Sequence, residues 1–311
     1  MTSIAVTIAN ELNIRESQVE QALKLLAEGN TVPFISRYRK EATGGLDDGQ
    51  LRHIEERNIY LVELAERKTA VLESIEEQGK LTDDLKREIL AADTKARVED
   101  LYLPYKKRRK TKADIAREAG LEDLTQLLID DPTATPETLA ERFLSEGFPD
   151  TKAALDGARA ILVDRFATDA DLGGAVRDRV YEQGTMRSSV VEGKEQEGAK
   201  FADYFDFSEP FDKLPSHRIL ALLRGENEGV LTLNLDPGDE SVFEGMIADR
   251  FDLPVKDSAW LAKAVQWGWR TKLQVSANLD TRMRLKEKAE EGALQVFKTN
   301  PVSYTHLRAH E

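Results

Sequence analysis

Along most of this chain apolar residues recur at intervals of three and four, the spacing of one face of an α-helix, while strict alternation is almost absent. Ile8, Leu12, Val19, Ala22, Leu23 and Leu26 set the first such face. Asn13 to Gln18 divides it into two short helices, and Gly29 and Asn30 close the second. Asp47 or Asp48 then caps a long helix that runs to about Gln78 and stops at Gly79. Within it Leu51, Ile54, Asn58, Leu61, Ala65, Lys68, Leu72 and Ile75 keep a heptad spacing. So narrow a stripe covers one partner's width and predicts an internal scaffold helix packed on a neighbour. Thr82 caps the next helix, and another near Lys95 to Leu103 leads to Pro104. Four short helices follow, Leu121 to Ile129, Pro136 to Leu144, Asp150 to Phe166 and Asp169 to Glu182, joined by tight turns in a helix-turn-helix-like manner.

The pattern changes at Met186. From Arg187 to Lys200 the chain is too hydrophilic for a core and reads as a polar excursion. Phe201, Tyr204, Phe205 and Phe207 then stand beside Asp203, Asp206 and Glu209. Aromatic anchors with helix-capping acids are favoured over a metal site, because nothing nearby supplies a further ligand type. Ser216 caps a helix that Gly225 ends, and Val230 to Leu235 is the best strand candidate. Trp260, Leu261, Ala264, Val265 and Trp269 share one buried helix face, and Asn278 to Lys298 reads as a long charged helix. Residues 301–311 break that helix and read as a non-native tail. The predicted fold is all-α with at most a short strand pair, a multi-helix scaffold with a small helix-turn-helix-like helical insertion. Its expected parts are a helical scaffold over 1–118, a helix-turn-helix-like domain over 119–200, and a central helical region over 201–300 packing back on the scaffold.

Composition narrows the class. With 41% hydrophobic and 32% charged residues, 311 residues suit a helix-rich globular protein. Cysteine is absent, which excludes disulfides, thiol nucleophiles and cysteine-bound zinc, and suits a reducing compartment. Met1 to Asn10 lacks the layout of a signal peptide and no run of 18 apolar residues occurs, so the expectation is a cytoplasmic chain with no membrane partner.

A net charge of -13 argues against a surface wholly given to nucleic acid, so any such binding must be local. One place is local enough. Lys106, Lys107, Arg108, Arg109, Lys110 and Lys112 put six cations into seven positions, and residues 101–120 carry seven cations against two acids. A patch of one sign acts over about a Debye length, ~8 to 10 Å, whatever the distant charges do. Phosphates are its usual target; the plainer reading is a solvated loop that offsets acidic helices. A second place interleaves Arg37, Arg39 and Lys40 with Phe34 and Tyr38, a pattern able to contact phosphate and stack a base. Phe34, Ile35 and Tyr38 also stand at helical spacing, and the rings are read as core. These nine cations are the candidate nucleic-acid-binding residues.

Chemistry offers little else. His53 and His217 are the imidazoles outside the tail, and no HExxH, GxxxxGK[ST], GxGxxG or GxSxG occurs. The chain reads as a binding protein and not an enzyme, with no catalytic residue, metal or cofactor.

Several stretches together resemble the amino-terminal part of the Tex family of bacterial transcriptional accessory proteins. They are Val32 to Leu46, Val98 to Lys106, and Tyr204-Phe205-Asp206 with His217 to Ala221 and Arg224-Gly225-Glu226. The resemblance covers about residues 1 to 300. It implies a cytoplasmic helical scaffold with a helix-turn-helix-like insertion that binds nucleic acid and is tied to transcription; the leading expectation for this chain is that its basic residues hold RNA or DNA by phosphates without sequence preference, with the transcription machinery as a further candidate partner. It also implies ribonuclease-H-like, helix-hairpin-helix and OB-fold domains that this sequence does not include, so that the chain reads as a truncated fragment departing from the family at Pro301. A rival reading keeps the scaffold and drops the nucleic acid: the basic loop then meets an acidic protein of the transcription machinery.

Overall fold

The structure, a computed structural model, describes residues 3–106 and 109–299, so the tail proposed over 301–311 lies outside the described residues. Contacts divide the chain into two compact units, Met1–Lys106 and Lys107–Glu311. The sequence pattern had suggested boundaries after 118 and after 200.

The first unit begins with α1 (Ile4–Leu12) and α2 (Glu16–Ala27). Asn13 lies between them in the left-handed region, where its N–H reaches back to the carbonyls of Ala9 and Asn10 and closes α1. α3 (Val32–Tyr38) follows, then the 29-residue α4 (Asp48–Glu76), α5 (Asp83–Ala91) and α6 (Lys95–Tyr102). Asp47 caps α4 as expected: it accepts from the Gln50 N–H, and the Gln50 side chain accepts from the Asp47 N–H. Ile8, Val19, Ala22, Ile35, Leu46, Leu51 and Ile54 form one core between α1, α2, α3 and the first half of α4. Each large aliphatic buried there contributes about 1.5–3 kcal/mol. The second half of α4 packs on α5 and α6.

The buried line of α4 differs from the heptad seam. Leu51, Ile54 and Ile75 are buried as predicted, but Ala65 is exposed and Leu72 half-buried, and Leu64 and Val71 take their places. The two halves of α4 have different partners, α1 to α3 first and then α5 and α6, and at 100° per residue Leu64, Val71 and Ile75 lie round the helix from Leu51 and Ile54, so no single heptad seam serves both.

The second unit opens with α7 (Lys112–Glu118), α8 (Leu121–Asp130) and α9 (Pro136–Ala140), all packed on α10 (Thr151–Thr168). α11 (Ala170–Gln183) leads into β1 (Thr185–Val190); β2 (Asp206–Pro210), α12 (Ser216–Asn227) and β3 (Leu231–Asp236) come next. α13 (Glu240–Arg250) and α14 (Ala259–Gly268) precede a π-helical turn, Trp269–Leu273, and α15 (Gln274–Thr299). Phe166, Val180, Phe211, Phe243 and Trp269 are fully buried in the main core, where the Phe243 and Trp269 rings stack with centroids 4.2 Å apart.

The fold is helical with one small antiparallel sheet, ordered β2-β1-β3. Val230 to Leu235 falls on β3 as expected, yet the central strand is β1, whose last four residues, Arg187 to Val190, open the stretch read as a polar excursion. Met186 and Ser188 face the core from β1 and Arg187 and Ser189 face out. A serine in an inward position hides the alternation; its hydroxyl is satisfied by donating to the Tyr204 carbonyl at 2.6 Å.

Gly225 also differs from its expected role. It does not end α12, which runs to Asn227; a Cβ at Gly225 would lie 2.5 Å from Leu231 Cδ1, so the missing side chain lets α12 close on β3. Nor does Ser216 cap that helix: its hydroxyl donates to the Lys288 carbonyl at 3.0 Å. No helix among the described residues is long and apolar enough to cross a membrane.

Candidate nucleic-acid interface

At 100° per residue, Val32 and Ile35 turn one side of α3 inward and leave Phe34, Arg37 and Tyr38 on the other. Val32 and Ile35 are buried accordingly, while Phe34 is 39% and Tyr38 72% exposed. The expectation that both rings belong to the core is therefore corrected: seven residues make too short a helix for a second buried edge. The rings touch each other instead, with centroids 5.3 Å apart and planes inclined at 42°.

Arg39 and Lys40 follow on a turn that the interior holds in place. Thr43 is fully buried and its hydroxyl donates to the Lys40 carbonyl at 3.1 Å. Gln18 of α2 donates to the carbonyls of Thr43 and Gly44 at 3.3 and 3.1 Å. Gly44 and Gly45 have φ of +66° and +92°, a region that glycine enters without steric penalty. Arg37, Tyr38, Arg39 and Lys40 line an open concavity with these glycines, and Glu41 is its one acid. Arg37, Arg39 and Lys40 are exposed and make no ion pair among the described residues. A further cation, Arg15, stands close by: its Nη2 lies 3.2 Å from where a Gly44 Cβ would be. Sequence reading missed it because the fold alone brings the start of α2 to this turn.

The basic segment is built differently. Leu103–Tyr105 forms a single 3-10 turn, and exposed Lys106 ends the first unit. Lys107 and Arg108 lie outside the described residues. Arg109 and Lys110 are exposed and without regular structure, and exposed Lys112 is the first residue of α7. Thr111 caps that helix, with Asp114 reaching back to the Thr111 N–H at 2.8 Å. Lys110 is occupied by Glu118 at 2.8 Å, whereas Arg109 and Lys112 have no ion-pair partner among the described residues. The structure thus gathers Arg37, Arg39 and Lys40 at one corner of the first unit, and strings Arg109, Lys110 and Lys112 along the entry to the second.

The carboxylates beside the aromatic cluster do not converge. Asp206 and Glu209, an odd number of residues apart on β2, point to opposite faces, and Glu209 is held by Arg218 at 2.7 Å. No group of three or more potential metal ligands occurs among the described residues. His53 and His217 are both exposed.

A family model described as Tex central region-like matches residues 131–297, and one described as Tex-like protein N-terminal domain matches residues 2–76. Transcriptional accessory protein Tex of Neisseria gonorrhoeae is 51% identical over 306 residues, covering 96% of this chain and 40% of that protein. Protein YhgF of Escherichia coli is 51% identical over 305 residues, covering 94% of this chain and 40% of its own length. Human S1 RNA-binding domain-containing protein 1 is 30% identical over 239 residues, 75% of this chain and 24% of that protein. The chain thus spans 40% of the length of the two bacterial relatives.

Proposed function

We propose that this chain, which belongs to the Tex family, holds RNA or DNA by its phosphates without reading sequence, as an accessory to transcription. The carrying observation is the corner at α3, where three exposed and unpaired cations stand beside two exposed rings. Cations in that setting can release counterions from a phosphate backbone, and the rings offer a face to an unpaired base. The basic segment adds exposed Lys106, Arg109 and Lys112. The names of the gonococcal and human relatives, one a transcriptional accessory protein and one an S1 RNA-binding domain-containing protein, support the same direction. The role is to hold the polymer and involves no bond-breaking step.

A second reading, a docking scaffold for the transcription machinery, is favoured by one observation. Val275, Leu279 and Met283 stand four residues apart on α15 and are all exposed, an apolar line suited to a protein surface.

The test is fluorescence anisotropy with labelled RNA and DNA of unrelated sequence over a series of salt concentrations. Replacing Arg37, Arg39 and Lys40 with glutamine, or neutralising Lys106 to Lys112, should weaken both polymers alike. Each lost contact should flatten log affinity against log salt by about 0.9 for duplex and about 0.7 for single strands. Folded variants that keep wild-type affinity and slope would overturn the reading. Capture of a polymerase subunit by a chain that binds no oligonucleotide at low salt would put the scaffold in its place.

A further inference from the structure

Within the second unit, the start of α7, one side of α10 and the turn after α14 enclose a groove lined by Thr111, Lys112, Arg159, Val163, Trp267 and Lys272. Trp267 is its prominent feature. It is 54% exposed, while Trp269, two residues on and pointing to the opposite side, is fully buried. The Arg159 guanidinium carbon lies 5.1 Å from the Trp267 ring centroid, so the indole already has a cation against it. Lys112 and Lys272 line the same groove, are exposed, and make no ion pair among the described residues. Asp156 and Asp164 also line the groove, but each is neutralised, Asp156 by Arg159 at 2.6 Å and Asp164 by Arg117 at 2.9 Å. The π-helical turn Trp269–Leu273 adjoins it, a distortion often found at functional positions.

We propose that this groove is a stacking site for one base of a single-stranded nucleic acid, with Trp267 as the platform and Lys112 and Lys272 holding the flanking phosphates. The inference rests on the nucleic-acid-binding reading above and deepens it. A π-face beside free cations is the chemistry that sequence-tolerant single-strand sites use, because every base has a face to stack and every link a phosphate. Lys112 ends the basic segment and lines the groove, so a strand held along Arg109 to Lys112 passes directly to the indole.

The experiment uses the whole chain and a fluorescein-labelled oligo(dT), comparing wild type with Trp267→Ala, Trp267→Phe and Lys272→Gln. Trp267→Ala should raise Kd by roughly 5- to 150-fold, the loss of one stacked base, with the salt slope unchanged. Trp267→Phe should keep most of the affinity, and Lys272→Gln should flatten the slope by about 0.7. Because Trp267 is exposed, the variants should keep the wild-type circular dichroism. A folded Trp267→Ala chain with wild-type affinity would overturn the site. If that result came with weaker binding on neutralising Arg37, Arg39 and Lys40, only this site would fall. If wild type did not bind oligo(dT) at low salt, both readings would fall.

Discussion

The corner at α3 and the segment from Lys106 to Lys112 use the same kinds of side chain and differ in how those side chains are held. Lys106 to Lys112 has the higher density of charge, but Lys110 is already engaged by Glu118 and residues 109 to 111 lack regular structure. The corner has fewer cations, all unpaired, on a turn pinned by Thr43 and Gln18 and flanked by two solvent-facing rings. An exposed pair such as Lys110–Glu118 is worth only ~0–1 kcal/mol, so a phosphate can displace it. Fixing a residue's backbone costs roughly 1–2 kcal/mol, which folding has already met at the corner's hydrogen-bonded turn. The exposed cationic side chains of both regions face the same cost of about 0.5–1.5 kcal/mol each when a ligand immobilises them. Charge density along a sequence therefore measures how much cation is present, and packing decides how much of it is ready.

The comparison breaks most readily at its hydrophobic footing. Ile35 is fully buried and anchors α3, so Ile35→Ala should lower stability by about 2–5 kcal/mol. Replacing Arg109, Lys110 and Lys112 with glutamine should move it by no more than about 0.5 kcal/mol. Urea denaturation followed by circular dichroism reads both, and equal midpoints for the two variants would show that the corner is no better anchored than the segment.

A smaller effect sharpens the contrast at the rings. Tyr38→Ala should weaken binding of single-stranded RNA by roughly 5- to 150-fold and leave duplex DNA affinity nearly unchanged, because only an unpaired base can stack on the ring. Tyr38→Phe should retain the single-strand affinity. An equal loss for duplex and single strand would mean that the tyrosine positions Arg37 and Arg39 and stacks nothing.

Much of the frame was legible in the pattern of residues. Asp47, Gly79 and Thr82 mark real helix limits because capping and left-handed closure are local chemistry that a few neighbouring residues decide. The nine cations were legible as residue types. What stayed hidden depends on the third dimension. Phe34 and Tyr38 fit a helical stripe as well as Ile35 does, and only the short length of α3 and the position of the core decide which edge is inside. β1 was obscured by Ser188, an inward polar residue whose partner, the Tyr204 carbonyl, is brought to it by the fold. Trp267 left no clear signal either: seven residues after Trp260, it lies within about 20° of that edge of the stripe of Trp260, Leu261, Ala264, Val265 and Trp269, and only the fold leaves it exposed.

The least effect expected concerns the frame beneath the corner. Arg57 of α4 donates to both Glu11 carboxylate oxygens, through Nε at 2.8 Å and Nη2 at 2.7 Å, and so ties α1 to α4. This hydrogen bonding holds the Glu11 pKa below its ordinary value; burial opposes the shift, and the charges of Arg57 and His53 assist it. A carboxyl whose pKa is lower folded than unfolded contributes its full stability above the ordinary glutamate range, near ~4.3, and loses it as pH falls through the lowered value. Both side chains remain about a third exposed, so solvent screening limits the pair to about 1 kcal/mol. Glu11→Gln should therefore destabilise the protein by no more than that at neutral pH, and the gap to wild type should close as pH falls below the glutamate range. Denaturant midpoints measured across pH 3 to 7 would reveal this; a gap that persisted in acid would assign the contribution to packing of the side chain instead of its charge. RNA affinity at neutral pH should not change in the same variant, because the pair supports α1 and α4 and supplies none of the cations or rings at the corner.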